Sequence, residues 1–249
     1  MTGKIFVGTS GWSYKHWIGR FYPEELKTRA WLQFYVKHFR TVEINSSFYH
    51  LVAPKTYANW YSITPDSFQF AVKASRFITH VKRLVGVDDA LSKYMEGVRN
   101  LKEKLGVILF QLPPSMKYDR ERIFSFIEVL YSKGILPGVR VSFEVRNRSF
   151  LVDEFFELLA GNNIALCFSD WPGVELDSPV TADFVYIRRH GPRNLYVSNY
   201  SDEELSADAR FINECSKKGI DCFVYFNNDA CAFAIDCCFR VLKMIQRGM

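Results

Sequence analysis

Eight short runs rich in β-branched and aromatic residues are spread along this chain, at residues 4–10, 41–46, 68–74, 106–112, 140–146, 164–170, 184–190 and 221–228. Most end on a charged or amide side chain where the run gives way to loop. Strand-like runs that alternate with helix-like stretches call for parallel βα units, and eight such units close into a barrel. The length, 249 residues, is that of one such domain spanning residues 1–249. The expected fold class is α/β, a single (β/α)8 TIM-type barrel. A doubly wound open sheet is the other arrangement the pattern permits, although no G-x-G-x-x-G follows any run and no P-loop is present.

The intervening stretches read as helices. Residues 26–39 place Leu32, Tyr35, Val36 and Phe39 on one stripe, and residues 87–105 carry an apolar face with Asp88 as a candidate N-cap. Residues 119–132 end at Gly134, residues 152–160 stop at Gly161, and residues 201–218 open with Ser201 and Glu204 in capping-box spacing. Residues 230–247 read as a packed final helix. One unit breaks the pattern. Residues 171–183 hold two prolines, a glycine and no helical period, so the sixth crossover is expected to lack a full helix.

Side-chain alternation turns the polar run ends into a cluster. Residues two apart on a strand share a face, so Glu43 and Asn45 point one way while Val42 and Ile44 point the other. Likewise Ser142, Glu144 and Arg146 alternate with Val141, Phe143 and Val145, and Tyr186, Arg188 and His190 alternate with Val185 and Ile187. The apolar set suits the helices, which leaves the polar set for the barrel axis. The sixth and eighth runs do not decide their own parity, since Ser169 or Asp170, and Asn227 or Asn228, can each be the inward member.

Composition narrows the function classes. A formal charge of +5 contains no long basic run, so charge alone supports nucleic-acid binding only weakly. No stretch approaches the roughly 20 apolar residues needed to cross a bilayer, and the first residues lack a secretory h-region, so a soluble cytoplasmic protein is expected. The six cysteines (Cys167, Cys215, Cys222, Cys231, Cys237 and Cys238) show no zinc-type pairing and read as reduced thiols. No membrane contact and no obligate protein partner are inferred.

The motifs GTSGWSYKHWIGRFYP (8–23), VEINSSFY (42–49), FAVKASRFITH (70–80), FQLPPS (110–115), FEVRNRSF (143–150), YIRRHG (186–191) and YFNND (225–229) resemble, in order and over nearly the whole chain, the YecE-like family, or domain of unknown function 72. The resemblance implies an eightfold βα barrel and no agreed activity. Arg189 departs from the aliphatic residue that family members usually carry there, and by parity it faces outward.

At the run ends, Glu43, Glu144 and Asp170 are candidate acids or bases, while Lys73, Arg146, Arg188 and His190 can bind or polarise an anion. Lys73, set among cations that lower its pKa, is also a candidate Schiff-base nucleophile. Asn45, Gln111 and Asn227 would contact substrate. Gly191 and Asn228, beside the loops that commonly hold phosphate in such barrels, would supply a cradle. Trp12 and Tyr14, from the aromatic loop at residues 11–23, could stack on a ring, although such a loop more often packs as a plug; Phe48, Tyr49 and Trp60 could extend the wall. A structural ion-pair lattice would explain the same charges, but charges taken from water cost several kcal/mol each unless well paired.

The function expected is an enzyme acting on a phosphate-bearing nucleotide, nucleic acid fragment or sugar by acid/base chemistry without a cofactor, as a hydrolase or lyase. The main rival is a divalent-metal hydrolase, nuclease or isomerase using Glu43, His80, Glu144, Asp170, His190 and Asp229. Against it, each cation about 6 Å from a divalent ion costs about 5 kcal/mol at an effective dielectric near 20. The third reading is a non-catalytic nucleic-acid-binding barrel.

Overall fold

The computed structural model of the chain describes residues 2–170 and 178–248. Its strands are β1 (Ile5–Thr9), β2 (Thr41–Ile44), β3 (Gln69–Lys73), β4 (Leu105–Gln111), β5 (Arg140–Glu144), β6 (Ala165–Ser169), β7 (Phe184–Arg189) and β8 (Asp221–Phe226). All pair in parallel in the order β1-β8-β7-β6-β5-β4-β3-β2. The two ends of that sheet meet through a single Ser10–Glu43 bridge, with the Gly11 amide donating to the Glu43 carbonyl at 2.8 Å. The result is a nearly closed, TIM-type barrel with helices around it.

The seam explains two residues. A Cβ on Gly8 would lie 2.3 Å from the Thr41 carbonyl oxygen, so only glycine lets β1 and β2 approach this closely. Where the ladder stops, the buried Tyr35 hydroxyl takes over: it accepts from the Thr9 amide at 2.9 Å and donates to the Thr41 carbonyl at 3.1 Å. Backbone groups that would otherwise be orphaned in the interior are thereby satisfied.

Both faces of the sheet are buried, as parallel sheets require. Val7, Val42, Val72, Phe143, Val185 and Val224 belong to the outer core against the helices. A separate inner cluster fills the barrel with Phe6, Ala71, Leu109, Cys167, Tyr186, Phe223 and Tyr225 among others. Its members settle the parity left open by the sequence. Ala165 and Cys167 face inward, so Ser169 continues that series; Phe223 and Tyr225 do the same for Asn227. Asp170 and Asn228 fall on the other side.

The helices follow expectation unevenly. An N-cap at Asp119 opens α5 (Arg120–Ser132), accepting from the Arg122 amide at 3.1 Å. Both bonds of the Ser201–Glu204 capping box open α7 (Asp202–Lys217), and α6 (Asp153–Ala160) stops at Gly161. In place of one helix over 26–39 there is a 3-10 turn, Thr28–Ala30, and the short α1 (Trp31–Tyr35). Trp31 stacks on Tyr22 and its indole N–H donates to the Leu26 carbonyl, so the preceding residues wind around that ring instead of extending the helix. Between β2 and β3 lie two helices the periodicity does not announce, α2 (Ser46–Tyr49) and α3 (Pro54–Ser62).

The helix expected over 87–105 is α4 (Asp88–Val98) followed by a 3-10 segment, and Val87, not Asp88, occupies its N-cap. The break has a cause: Lys104 turns inward and donates to the carbonyls of Tyr61 at 2.8 Å and Thr64 at 2.7 Å. The last helix, α8 (Phe233–Arg247), begins after a kink at Cys231 and Ala232, both at positive φ, and does not run unbroken from residue 230. In the sixth crossover residues 178–183 hold no helix, and residues 171–177 lie outside the described residues. All six cysteines are free, and only Cys231 is exposed. No helix among the described residues is long and apolar enough to cross a membrane.

Candidate functional site

At the C-terminal ends of the strands three buried charges interlock. Arg188 on β7 meets Glu43 on β2 through two parallel bonds, Nη2 to Oε1 at 2.7 Å and Nε to Oε2 at 2.9 Å, and reaches Glu144 on β5 with Nη1 at 2.5 Å. Glu43 also accepts from Ser10 Oγ at 2.8 Å and Tyr186 Oη at 2.6 Å. Arg146 binds the other oxygen of Glu144 at 2.8 Å. Side chains of Arg188, Glu43 and Glu144 are 1%, 0% and 0% exposed, a burial tolerable only because nearly every lone pair and N–H has a partner. Burial alone would raise both carboxyl pKa values; Arg188 outweighs it and holds Glu43 below, and Glu144 well below, the usual range.

Above this lattice opens a cavity of about 610 Å³ lined by Tyr14, Asn45, Phe48, Tyr49, Lys73, Arg76, His80, Gln111, Arg146, Arg188, Tyr196, Asn227 and Asp229. Four of those side chains are lysine or arginine, a fifth is His80, and one, Asp229, is a carboxylate. Lys73, at the end of β3, stands with its ammonium nitrogen 4.0 Å from the centre of the Phe48 ring, and makes no hydrogen bond or ion pair among the described residues. Burial first, then Arg188, brings its pKa down to about 7 against the opposing pull of Glu144 and Glu43. His80 is pushed down to about 4 by burial, Lys73 and Arg146, and its ring lies 2.8 Å from Thr79 Oγ1 and 3.4 Å from Gln111 Nε2. Asn45 lines this opening, and its side-chain oxygen is buried without a hydrogen-bond partner among the described residues.

The other sequence candidates divide. His190 is fully buried behind Tyr196 and does not line the cavity. Asn227 approaches its Nδ1 at 3.0 Å, and its Nε2 lies 3.6 Å from Glu144, so it steadies that carboxylate from below. Burial, then Arg188, lowers its pKa, so it is neutral at pH 7. Asp170 faces away from the opening, accepting from the His190 amide at 2.8 Å and the Gly191 amide at 3.3 Å, and from the Tyr200 hydroxyl. Because the Gly191 amide, at a φ of 116° that suits glycine, is spent on Asp170 and Tyr200, it is not offered to a phosphate. Asn228 is fully buried on the side away from the axis and does not line the cavity, its side-chain amide donating to the Ser198 carbonyl at 3.0 Å, so neither the Gly191 amide nor the Asn228 side chain is offered to an anion and the expected cradle does not form at these two residues.

The aromatic loop is mostly a plug. Trp17 and Tyr22 are fully buried, Trp12 packs edge-on against Trp60, and His16 and Trp17 dock on the Asp229 carbonyl. Tyr14 alone of the two proposed stacking residues reaches the cavity. Arg189, outward as its parity requires, is clamped by both oxygens of Asp208 on α7. Among the described residues no three His, Cys, Asp or Glu side chains gather as a metal-binding group. Arg76 and Tyr196 escaped the sequence reading. Arg76 begins the π-helical turn Phe77–Val81 as its N-cap, three residues beyond the strand end, where alternation no longer assigns a direction.

The family model described as "Protein of unknown function DUF72" matches residues 6–249. The UPF0759 protein YunF of Bacillus subtilis is 25% identical over 278 residues, which cover 97% of this chain and 95% of that protein. The UPF0759 protein YecE of Escherichia coli K12 is 29% identical over 109 residues, 44% of this chain and 38% of that protein. Among solved structures, a DUF72 family protein from Thermotoga maritima superposes with a TM-score of 0.83 at 28% identity, over 98% of this chain and 99% of that one.

Proposed function

The chain belongs to the DUF72 family, and from that premise we propose that it is an enzyme whose substrate, a nucleotide or sugar bearing a phosphate, binds at the C-terminal mouth of the barrel. One observation carries this reading: four lysine or arginine side chains and a single carboxylate line a cavity of about 610 Å³. Small-molecule sites commonly enclose about 300–1,000 Å³, and TIM-type barrels place them at this end. Arg146 and Arg76 would hold the anion. Asn45, Gln111 and Asn227, which line the cavity, would meet its hydroxyls.

Glu43 and Glu144 are poor bases here, because arginines, a serine and a tyrosine occupy their oxygens. They position Arg188 and Arg146 instead. The group able to take up and return a proton near pH 7 is Lys73. A divalent ion would have to bind among the four cations, which supports acid/base chemistry carried by the protein's own side chains.

Calorimetric titration with inorganic phosphate and ribose 5-phosphate tests the reading. Both ligands are expected to bind, with affinity falling as salt rises, and Arg76→Met and Arg146→Met are each expected to weaken binding about tenfold, or about 1.4 kcal/mol. Arg76 is exposed and unneeded by the core, so its variant separates binding from folding. Equal affinity in wild type and both variants would overturn the proposal.

A further inference from the structure

Lys73 differs from every other cation at the mouth. Arg188 and Arg146 are fastened to glutamates, and Arg76 stands exposed on the rim. Lys73 is 8% exposed, yet its nitrogen has neither carboxylate nor carbonyl as a partner among the described residues and faces an aromatic ring and open cavity. Its backbone is fixed, since its carbonyl accepts from Ser47 Oγ at 2.7 Å on α2, the helix that also carries Phe48. A lysine needed only to neutralise Glu43 would gain by being paired with it. This one is rigidly placed, partly desolvated and left without a salt bridge, the environment that makes an amine nucleophilic.

From this arrangement we infer that Lys73 is a nucleophile that forms a Schiff base with an aldehyde or ketone substrate carrying a phosphate. The anionic part of the inference rests on the function proposed above; the covalent part rests on Lys73 alone. The neutral Nζ attacks the carbonyl carbon, a C–N bond forms, the C=O π pair moves to oxygen, and a proton passes from nitrogen to that oxygen to give a neutral carbinolamine. The hydroxyl then takes one solvent proton, and the nitrogen lone pair expels it as water. Overall one amine, one carbonyl and one solvent proton give one protonated imine and one water, with no oxidant or reductant. Asn45 lines the same cavity. With a pKa of about 7, about half of Lys73 is neutral at pH 7, against roughly one in several thousand for an ordinary lysine.

The experiment is trapping with glycolaldehyde phosphate and sodium cyanoborohydride, followed by peptide mass mapping, with phosphate-free glycolaldehyde in parallel. Lys73 is expected to be labelled at least about tenfold faster than exposed lysines such as Lys15 and Lys55 at pH 7, with a rate midpoint near its own pKa. The phosphorylated probe is expected to react faster than the neutral one, inorganic phosphate to compete, and both effects to fade in Arg76→Met. Lys73→Met and Lys73→Arg should each abolish the fast adduct in folded protein. If phosphate binds but Lys73 reacts no faster than surface lysines, the nucleophile is overturned while the anion site stands. If Lys73 reacts fast with both probes alike and phosphate does not compete, the amine chemistry is supported and the anion reading falls.

Discussion

The two mouths of this barrel are built from similar side chains and behave as opposites. At the N-terminal end a cavity of about 660 Å³ is lined by Lys4, Arg40 and Arg140 against Asp66, Glu103 and Asp221, so its charges balance. Arg140 lies over the rings of Phe184 and Phe223 and binds Asp221 at 2.7 Å, while Asp221 also accepts the Lys4 amide at 2.7 Å. Arg140 thereby covers two rings of the inner apolar cluster. At the C-terminal end the charges are buried more deeply, four cations meet three carboxylates once Glu43 and Glu144 are counted, and a lysine and an amide oxygen are left over. A balanced mouth closes a barrel; a mouth with spare chemistry is where a ligand would complete it. In characterised enzymes of this barrel architecture the active site lies at the C-terminal end.

Several substitutions press on that contrast. The largest effect belongs to Arg188→Met, which strands two buried glutamates and is expected to destabilise the fold by about 3–5 kcal/mol in urea unfolding. The depressed pKa values of Glu43 and Glu144 add a pH signature. A carboxyl whose folded pKa lies below its unfolded value contributes stability above the ordinary carboxylate range and loses it as pH falls through the folded value. Wild type should therefore weaken at acid pH more steeply than Arg188→Met.

Lys73→Met should act in the other direction. The folded pKa of about 7 lies under the unfolded 10.5, so the folded state binds fewer protons between these values and wild type gains stability as pH rises through that window. The variant is expected to exceed wild type by on the order of 2 kcal/mol at pH 6, an advantage that shrinks towards pH 10 in parallel unfolding curves. A pH-independent difference would show that Lys73 is charged in the folded protein. Arg40→Met at the balanced mouth should leave phosphate affinity unchanged, where Arg76→Met lowers it. Asp221→Asn should cost the least, below about 1 kcal/mol, because its ion pair is partly solvated.

Period-two alternation makes the lattice legible in the sequence: Glu43, Glu144 and Arg188 fall on the axis side because their neighbours Val42, Val145 and Ile187 are apolar. The same rule fell silent at Asp170 and Asn228, where two adjacent polar residues share a strand end and only the inner packing of Cys167 and Tyr225 decides. Alternation could not say which inward residues reach the opening. His190 points inward and is still roofed by Tyr196, which arrives from a loop. Arg76 and His80 lie on a π-helical turn after β3, beyond the reach of strand periodicity. α3 was missed because it buries little besides Tyr57, leaving no apolar stripe; Pro54 in its first turn was the available signal.

A crystal soaked in ribose 5-phosphate compares the two mouths in one experiment. Phosphate density beside Arg76 and Arg146, with none beside Arg40 and Arg140, is the expected result. Occupancy at the N-terminal mouth with the C-terminal cavity empty would contradict the assignment of function to the end where Lys73 lies.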